Sequence, residues 1–478
     1  MYTCFHWLFA GALGIINAAM DLSCYITKTV SFKFRGIDFN FDLSQGLFSS
    51  ADIDAGTRFL LKVFSRVLDQ DALAGNTAQT VLDAGCGAGI MGICAAGAIA
   101  ATGQANSLSV RCQDRDELAR LFTAHNAKKN RIPAEVFESY CEPLLAGAEN
   151  SRWDLIFCNI PAKAGLPVLE DFIPRALILL NEGGKIIIVA VHTLADFFRQ
   201  RINSVDAELF LEEKSPEYSV FVYGKKTDQP AAKNLTPIKT GKGFFERYPF
   251  YARAAIEYTL DDIPLKIKSI HGAAGFDNPG GKIEAAVKLM RRIGFEKLNL
   301  LNCAPPGKAL IHEPDQGFFH CWLLEVMRKE YHDKIPPFLV LSGRNILALE
   351  AARHNTKYCN AEITNTESRI TFVAAADLEL ACENLLKAAD SFGTPRQYDF
   401  IAAFPEFIPQ SLLPKKIDPA SAFWKSLPAL LAPGGVFIAG FSSVNAERFD
   451  RVKPSGFRRL GDIKRKGFRA LGYVFEPR

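Results

Sequence analysis

The feature that most constrains the fold of this chain is the run Val-Leu-Asp-Ala-Gly-Cys-Gly-Ala-Gly at residues 81–89. An apolar segment ends there on an acid, three glycines follow at alternate positions, and an apolar stretch begins at Ile90. Glycine allows the positive φ angles and the close backbone approach that a tight turn after a strand requires. The pattern predicts a buried strand, a glycine-rich turn and a helix.

The alternation of strands and helices continues through the first half of the chain. Residues 29–47 alternate polar and apolar side chains as strands do, and a helix with an acid at its start follows from Asp54. Two strands near residues 207–211 and 218–223 are predicted to form a terminal hairpin. Between the first helix and this hairpin, we predict strands at residues 81–84, 108–113, 134–137, 153–159 and 184–191, and helices at 90–100, 116–129 and 168–180.

The second half repeats this order after a lysine- and proline-containing stretch. The segment from Leu427, Leu-Pro-Ala-Leu-Leu-Ala-Pro-Gly-Gly-Val-Phe-Ile, is similar to Leu-Ile-Leu-Leu-Asn-Glu-Gly-Gly-Lys-Ile-Ile-Ile from Leu177. We therefore predict an internal duplication: two tandem Rossmann-like α/β domains, each a seven-stranded, mostly parallel sheet with a terminal antiparallel hairpin. The predicted divisions are an N-terminal extension (1–28), a first domain (29–225), a linker (226–247) and a second domain (248–478).

The second copy is predicted to be degenerate. We place its counterpart of the glycine run at Ser342-Gly-Arg-Asn, which holds one glycine and no leading acid, and its counterpart of Asn159-Ile-Pro at Ala403-Phe-Pro. Without the glycines, backbone cannot approach a ligand closely. This domain is expected to bind no cofactor and to act as a platform or a substrate clamp.

Composition and cysteine usage indicate a cytoplasmic protein. The formal net charge is only +4, so a uniformly cationic protein is excluded, and the 11 cysteines contain no Cys-x-x-Cys pair. We expect free thiols in a reducing compartment and no metal site. Residues 4–20 are largely apolar but lack a preceding basic cluster and a cleavage site, so a membrane anchor is the less favoured alternative.

The glycine run is suited to S-adenosylmethionine. Gly85, Gly87 and Gly89 would let backbone approach the amino-acid end of this cofactor, and Asp83 could meet its α-ammonium group. Asp114, at the end of the second strand, could accept hydrogen bonds from both ribose hydroxyls. A dinucleotide site would require glycine or alanine where this chain has Ile90.

These residues carry a family resemblance. Leu43-Ser-Gln-Gly-Leu-Phe-Ser-Ser-Ala-Asp-Ile-Asp-Ala-Gly-Thr, the glycine run and Asn159-Ile-Pro together resemble the "methyltransferase small" domain of bacterial ribosomal RNA guanine-N2 methyltransferases, over roughly residues 30–225. The resemblance implies a class I S-adenosylmethionine-dependent methyltransferase that acts on an exocyclic amine of a base in ribosomal RNA. It implies roles for three sets of residues: Phe48, Ser49 and Thr57 would wall the cofactor pocket, Asp83, Gly85, Gly87, Gly89 and Asp114 would hold the cofactor, and Asn159 and Pro161 would form the acceptor site.

The acceptor segment departs from the family pattern, Asn-Pro-Pro-aromatic. Ile160 replaces the first proline and Ala162 replaces the aromatic residue that would stack on a base. Two alternatives therefore stay open: a protein methyltransferase acting on a side-chain amide, and a non-catalytic protein that binds S-adenosylmethionine and RNA. Residues 451–478 hold nine Lys and Arg against Asp462 and Glu476, which suggests either a phosphate-binding surface or an ordinary solvated hairpin.

Overall fold

A computed structural model shows two compact units. The N-terminal unit comprises residues 25–251, and the C-terminal unit comprises residues 252–478 together with residues 1–24. The last residues of the predicted linker, 243–247, lie within the N-terminal unit. The rest of that linker, from residue 227, lies outside the described part of the chain, as do most of residues 1–21. The structure describes residues 7–8, 22–48, 50–75, 78–104, 107–226, 243–298, 300, 307–331, 338–359, 369–378, 380–381 and 397–477.

The N-terminal unit is a seven-stranded sheet with helices on its faces and a separate hairpin. Its two-stranded hairpin precedes the first helix, and the first strand of the main sheet precedes the glycine run. With strand β1 (Trp7–Leu8) assigned to the other unit, the elements in chain order are β2 (Lys28–Phe34), β3 (Ile37–Leu43), α1 (Ala55–Leu73), β4 (Thr80–Ala84), α2 (Ile90–Ile99), β5 (Ser109–Asp114), α3 (Glu117–Lys129), β6 (Phe137–Cys141), β7 (Trp153–Asn159), α4 (Leu166–Leu179), β8 (Leu180–Val191), α5 (Ala195–Asn203), β9 (Ala207–Lys214), β10 (Tyr218–Lys225) and α6 (Phe244–Arg247).

Strand order explains where a site can form. The sheet runs β6-β5-β4-β7-β8-β10-β9, and its first five strands are parallel. Strand β10 then pairs antiparallel with both β8 and β9, as the terminal hairpin was predicted to do. The direction in which successive strands are added reverses at β4: β5 and β6 lie on one side of it, and β7 and β8 lie on the other. Ligands of such sheets bind beyond the carboxyl ends of the strands at the point of reversal.

Local sequence sets the ends of the helices. Asp54 accepts a hydrogen bond from the Thr57 amide and begins α1, and Asp116 does the same for the Leu118 amide at α3. Helix α1 then buries Leu60, Phe64 and further apolar side chains at helical spacing. The Phe64 ring packs edge-on against Phe157 of β7, with the ring centroids 4.9 Å apart, so α1 is fixed directly over the strand that ends at Asn159.

The C-terminal unit repeats this plan. Its strands run β15-β14-β13-β16-β17-β19-β18, with the two-residue β1 added in parallel beside β15. The predicted fold class, two tandem Rossmann-like domains, is confirmed. The elements are β11 (Ala252–Leu260), β12 (Ile263–Ile270), α7 (Gly280–Ile293), β13 (Lys308–His312), α8 (Phe318–Glu330), β14 (Phe338–Gly343), α9 (Ile346–Cys359), β15 (Arg369–Ala374), β16 (Tyr398–Ala403), α10 (Pro419–Leu430), β17 (Leu431–Ser442), α11 (Ser443–Arg451), β18 (Phe457–Arg465) and β19 (Phe468–Phe475).

One assignment within the second copy was wrong. Ser342-Gly-Arg-Asn begins with the last two residues of β14, which corresponds to β5 rather than to β4 in the strand order. The counterpart of the glycine run instead follows β13 and reads Glu313-Pro-Asp-Gln-Gly. The segment gave no signal in the sequence because it has lost two of the three glycines by which the first loop was identified.

Among the residues that the structure describes, no helix is both long and apolar enough to cross a membrane. No group of three or more His, Cys, Asp or Glu side chains within the described ranges is arranged to hold a metal ion. The cysteines described there, Cys24, Cys86, Cys94, Cys112, Cys141, Cys158 and Cys321, are free thiols.

Candidate active site

The glycine run forms a turn at the carboxyl end of β4. Gly85, Gly87 and Gly89 all have positive φ, at 79°, 56° and 82°, a conformation that disfavours any side chain. The amides of Gly85 and Cys86 both donate to the backbone oxygen of Gln113, at 2.8 and 3.0 Å, which joins the turn to β5. A Cβ on Gly87 would meet no atom within 4 Å, so the backbone there is open to a ligand.

Asp83 supplies a buried acceptor beneath this turn. Its Oδ2 accepts a hydrogen bond from the Gly92 amide at 2.8 Å. Its Oδ1 is buried and has no hydrogen-bond partner among the described residues. Burial raises the pKa of this carboxyl to about 7, and the neighbouring Asp114 carboxylate adds to the shift. A buried acceptor without a donor fits the α-ammonium group of S-adenosylmethionine, which would supply both hydrogens and charge.

Asp114 lies at the end of β5, across the turn from Asp83. Its Oδ2 accepts from the Gly87 amide and its Oδ1 from the Asp116 amide, both at 3.0 Å. These bonds fix the carboxylate in one orientation and leave each oxygen with a further lone pair. Burial raises its pKa, with a further contribution from the Asp116 carboxylate. A fixed carboxylate at this edge suits the two ribose hydroxyls of the same cofactor.

Asn159 ends β7 at the same edge of the sheet. Its Nδ2 donates to Asp54 Oδ2 at 3.0 Å and to Thr57 Oγ1 at 3.1 Å. Its Oδ1 therefore points away from both groups and accepts no hydrogen bond from the described residues. Tyr218 donates its hydroxyl to Asp54 Oδ1 at 3.2 Å, so one carboxylate holds residues from α1, β7 and β10 together.

The remaining predicted site residues differ in their exposure to solvent. Phe48 is 70% exposed, Pro161 is exposed with its oxygen accepting from the Ala164 amide at 2.8 Å, and Thr57 is buried against Asn159. Ser49 lies outside the described residues. The sequence pattern did not assign Asp54 or Tyr218 to the site. Asp54 stands inside the quoted Asp-x-Gly-Thr segment, which was a usable signal, whereas nothing local marks Tyr218.

The two copies of the fold can be aligned through one asparagine in each. Asn126 donates to the backbone oxygens of Asp42 and Ala88, at 3.0 and 2.9 Å, and accepts from the Asp42 amide. Asn355 makes the same three contacts with Lys268 and Gln316, at 3.1, 2.9 and 2.8 Å. Ala88 therefore corresponds to Gln316, and the three glycines of the first turn correspond to Glu313, Asp315 and Gly317.

The second turn keeps the positive φ angles of the first turn, but the two acids at the strand ends are replaced. Glu313, Asp315 and Gly317 have φ of 59°, 49° and 106°, so two side chains occupy strained positive-φ positions. The Glu313 carboxylate accepts from the Arg344 amide at 2.9 Å, just after the end of β14. By register, Ile311 replaces the first acid and Gly343 replaces the second. Glu313 thus places a carboxylate at the position where the first turn has Gly85.

The chain is similar to known methyltransferases in the region that contains the glycine turn and Asn159. The methyltransferase small domain family matches residues 38–220. Over 162 residues the chain is 32% identical to the ribosomal RNA small subunit methyltransferase C of Actinobacillus pleuropneumoniae serotype 3 (strain JL03), which covers 33% of this chain and 44% of that relative. Over 115 residues it is 34% identical to the ribosomal protein L11 methyltransferase of Teredinibacter turnerae, covering 24% of this chain and 33% of that protein.

A solved structure shares the fold of nearly the whole chain. The 16S rRNA N2 G1207 methyltransferase of T. thermophilus, solved with AdoMet and guanosine, superposes with a TM-score of 0.56 over 95% of this chain and 99% of that one, at 13% sequence identity. The sequence similarity spans less than half the length of the two curated relatives from Actinobacillus pleuropneumoniae and Teredinibacter turnerae. The structural similarity, by contrast, extends over 95% of this chain. Residues 38–220 therefore resemble a methyltransferase small domain, and they lie within the N-terminal unit, which carries the glycine turn and Asn159.

Proposed function

We propose that this chain transfers a methyl group from S-adenosylmethionine to an exocyclic amine of a base in ribosomal RNA. The observation that carries the proposal is the orientation of Asn159, whose Oδ1 accepts nothing from the described residues and lies at the same sheet edge as the glycine turn. S-adenosylmethionine supplies a methyl group on a positively charged sulfur. Asp83 and Asp114 would hold its ammonium and ribose, and the turn between them would approach it through backbone.

The contribution of the protein would be positioning rather than strong base catalysis. The lone pair of an exocyclic amine is delocalised into the base, so the amine must be turned until that lone pair faces the methyl group. Asn159 Oδ1 can accept one hydrogen of the amine and fix this direction, since Asp54 and Thr57 prevent the amide from flipping. Positioning of this kind contributes several powers of ten to rate. Ala162 offers no ring, so a base would have to stack on another group.

The C-terminal unit offers a groove for the RNA backbone. The groove has a volume of about 720 Å³, and its lining includes Arg292, Lys297, Arg458, Arg459 and Asp462. Arg458 is paired with Glu476, and Arg459 with Asp450 and Asp462. Arg292 and Lys297 come from α7 and the turn after it, well outside the basic C-terminal stretch, and add two exposed cations. Four cationic side chains along one groove suit phosphates.

A direct test is methyl transfer from labelled cofactor to small ribosomal subunits isolated from a strain that lacks this protein. We expect label in RNA, recovered after nuclease digestion as a nucleoside methylated on an exocyclic nitrogen. The Asn159→Ala variant should bind the cofactor and transfer no label above background.

The same experiment separates the alternatives. Label that survives nuclease and is released by protease would point to a protein acceptor, which the similarity to a ribosomal protein L11 methyltransferase makes the second candidate. Label on a ring carbon or a ribose oxygen would contradict the assigned acceptor. Cofactor and RNA binding without transfer to any fraction would favour a non-catalytic role.

A further inference from the structure

An aromatic segment closes the N-terminal unit at residues 243–251. Its sequence is Gly-Phe-Phe-Glu-Arg-Tyr-Pro-Phe-Tyr, and it contains α6 and a short 3₁₀ turn. Phe244, Tyr248 and Tyr251 are 5%, 1% and 3% exposed. Residues 243–247, predicted as the end of a linker, and residues 248–251, predicted as the start of the second domain, are thus packed into the N-terminal unit. Burial to this degree requires that the hydroxyls of the two tyrosines find partners.

Both hydroxyls bind the loop that follows β6, residues 142–152. Tyr248 donates to the Glu149 carboxylate at 2.6 Å and accepts from the Gly147 amide at 3.1 Å. Tyr251 donates to the backbone oxygen of Pro143 at 3.3 Å. The aromatic segment therefore holds this loop at Pro143 and again at Gly147 and Glu149.

Arg175 of α4 fixes the aromatic segment in place. Its guanidinium pairs with Asp171 through Nε and Nη2, at 2.6 and 2.9 Å. The same group lies over the rings of Tyr248 and Phe250, 5.4 and 5.0 Å from their centroids. Its Nη1 is buried with no hydrogen-bond partner among the described residues, which the two aromatic faces account for.

The same loop also contacts the glycine turn through Leu144. The Leu144 side chain would lie 3.5 Å from a Cβ placed on Gly85. Leu144 has a positive φ of 47°, and Gln113 donates its side-chain amide to the backbone oxygens of Leu144 and Ala146. The backbone oxygen of Gln113 also accepts from the Gly85 amide. An unbroken series of contacts thus joins Tyr248 and Tyr251 to the turn between Asp83 and Asp114.

We propose that the aromatic segment is a positioning element for the cofactor pocket: it holds Leu144 against the glycine turn without touching the cofactor. The proposal rests on the cofactor binding assigned above. Leu144 is held in a strained conformation that a free loop would leave. Loosening the loop from outside would therefore weaken cofactor binding while the groups that act on the acceptor stay in place.

The test uses Tyr248→Phe and Tyr251→Phe in the full-length chain, since each keeps the ring and removes only the hydroxyl. We expect the Kd and KM for S-adenosylmethionine to rise about two- to tenfold, the effect of one ordinary hydrogen bond, with kcat at saturating cofactor within about twofold. Amide hydrogen exchange should rise in residues 142–149. Val67→Ala, on the buried face of α1 and outside this series of interactions, is the control matched for the decrease in thermal stability.

An unchanged Kd with faster exchange in the loop would overturn the proposal, because the segment would then be only structural. So would an equal rise in Kd for Val67→Ala at a matched decrease in stability. A raised Kd in a protein that methylates no RNA would support the positioning role and contradict only the proposed reaction. A wild-type protein that fails to bind S-adenosylmethionine would overturn both.

Discussion

Asn159 and Asp54, 105 residues apart in the chain, are joined by a 3.0 Å hydrogen bond in which the amide donates and the carboxylate accepts. The same carboxylate begins α1 by accepting from the Thr57 amide at 3.1 Å. One side chain therefore serves both a helix end and the orientation of the proposed acceptor group. Because serine caps helices about as well as aspartate, the two roles can be separated by mutation.

The Asp54→Ser variant should keep the helix cap and remove the partner that Asn159 and Tyr218 share. We expect a melting temperature within a few degrees of wild type, a Kd for S-adenosylmethionine within about twofold, and a kcat lowered roughly 10- to 100-fold, since small misplacements cost this much. Tyr218→Phe should give a smaller decrease in kcat. Full turnover by Asp54→Ser would mean that Asn159 does not need this hydrogen bond.

Asp83 should make cofactor binding depend on pH. Burial raises its pKa to about 7, and an ammonium ligand requires the ionised carboxylate, so binding must expel a proton below that pH. We expect S-adenosylmethionine to bind about fivefold more tightly at pH 7 than at pH 6, by calorimetry, while the ammonium group of the ligand stays protonated. Asp83→Asn should bind weakly with no such slope, and a wild-type Kd that is flat across this range would contradict the assignment.

The same carboxyl should destabilise the cofactor-free protein as pH rises. Its pKa in the folded protein lies above the ordinary value of 3.8, so its contribution to folding stability is full below about pH 4 and is lost progressively towards pH 7. Asp83→Asn removes the buried charge and keeps a group that can accept from Gly92. We expect this variant to melt at a higher temperature than wild type at pH 8, with a smaller difference at pH 5. If Asp83→Asn melted at a lower temperature than wild type at pH 8, the ionised Asp83 carboxylate would have to be stabilised by interactions other than the Gly92 hydrogen bond.

The chain should bind one molecule of S-adenosylmethionine. Glu313 and Asp315 put carboxylates where the first turn has glycines, and Ile311 and Gly343 remove both acids that would hold the ligand. Calorimetric titration should give a stoichiometry near one, and Asp114→Ala should abolish it. A second binding event that survives Asp114→Ala would locate a site in the C-terminal unit.

The groove of the C-terminal unit should contribute to RNA affinity through charge. We expect Arg292→Glu combined with Lys297→Glu to weaken binding to small-subunit RNA. If each of the two cations neutralises one phosphate, the slope of log K against log salt should become shallower by about 1.4 to 1.8. Lys415→Glu with Lys416→Glu changes the net charge equally at exposed positions outside the groove and serves as the control. Equal effects of both double variants would show that only overall charge matters.

The sequence by itself determined the features that depend on local order. The apolar strand, alternate glycines and following helix predicted the turn at residues 81–89, because positive φ and close packing restrict those positions to glycine. The repeat of strands and helices predicted two copies of one fold, because the alternation of buried and exposed side chains is a local property. Both acids that we predict to hold the cofactor, Asp83 and Asp114, lie at the ends of such strands and were chosen for that reason.

Only the tertiary structure decided which distant groups meet. Tyr218 reaches Asp54 across 164 residues because β10 lies between β8 and β9 in the sheet, and no local pattern records strand order. The aromatic segment was divided between the predicted linker and the predicted second domain because its partners, Pro143 and Arg175, lie 108 and about 75 residues away in the sequence. Glu313 escaped notice because the conformation of its turn is held by the surrounding sheet, which can impose a positive φ on residues that would not choose it.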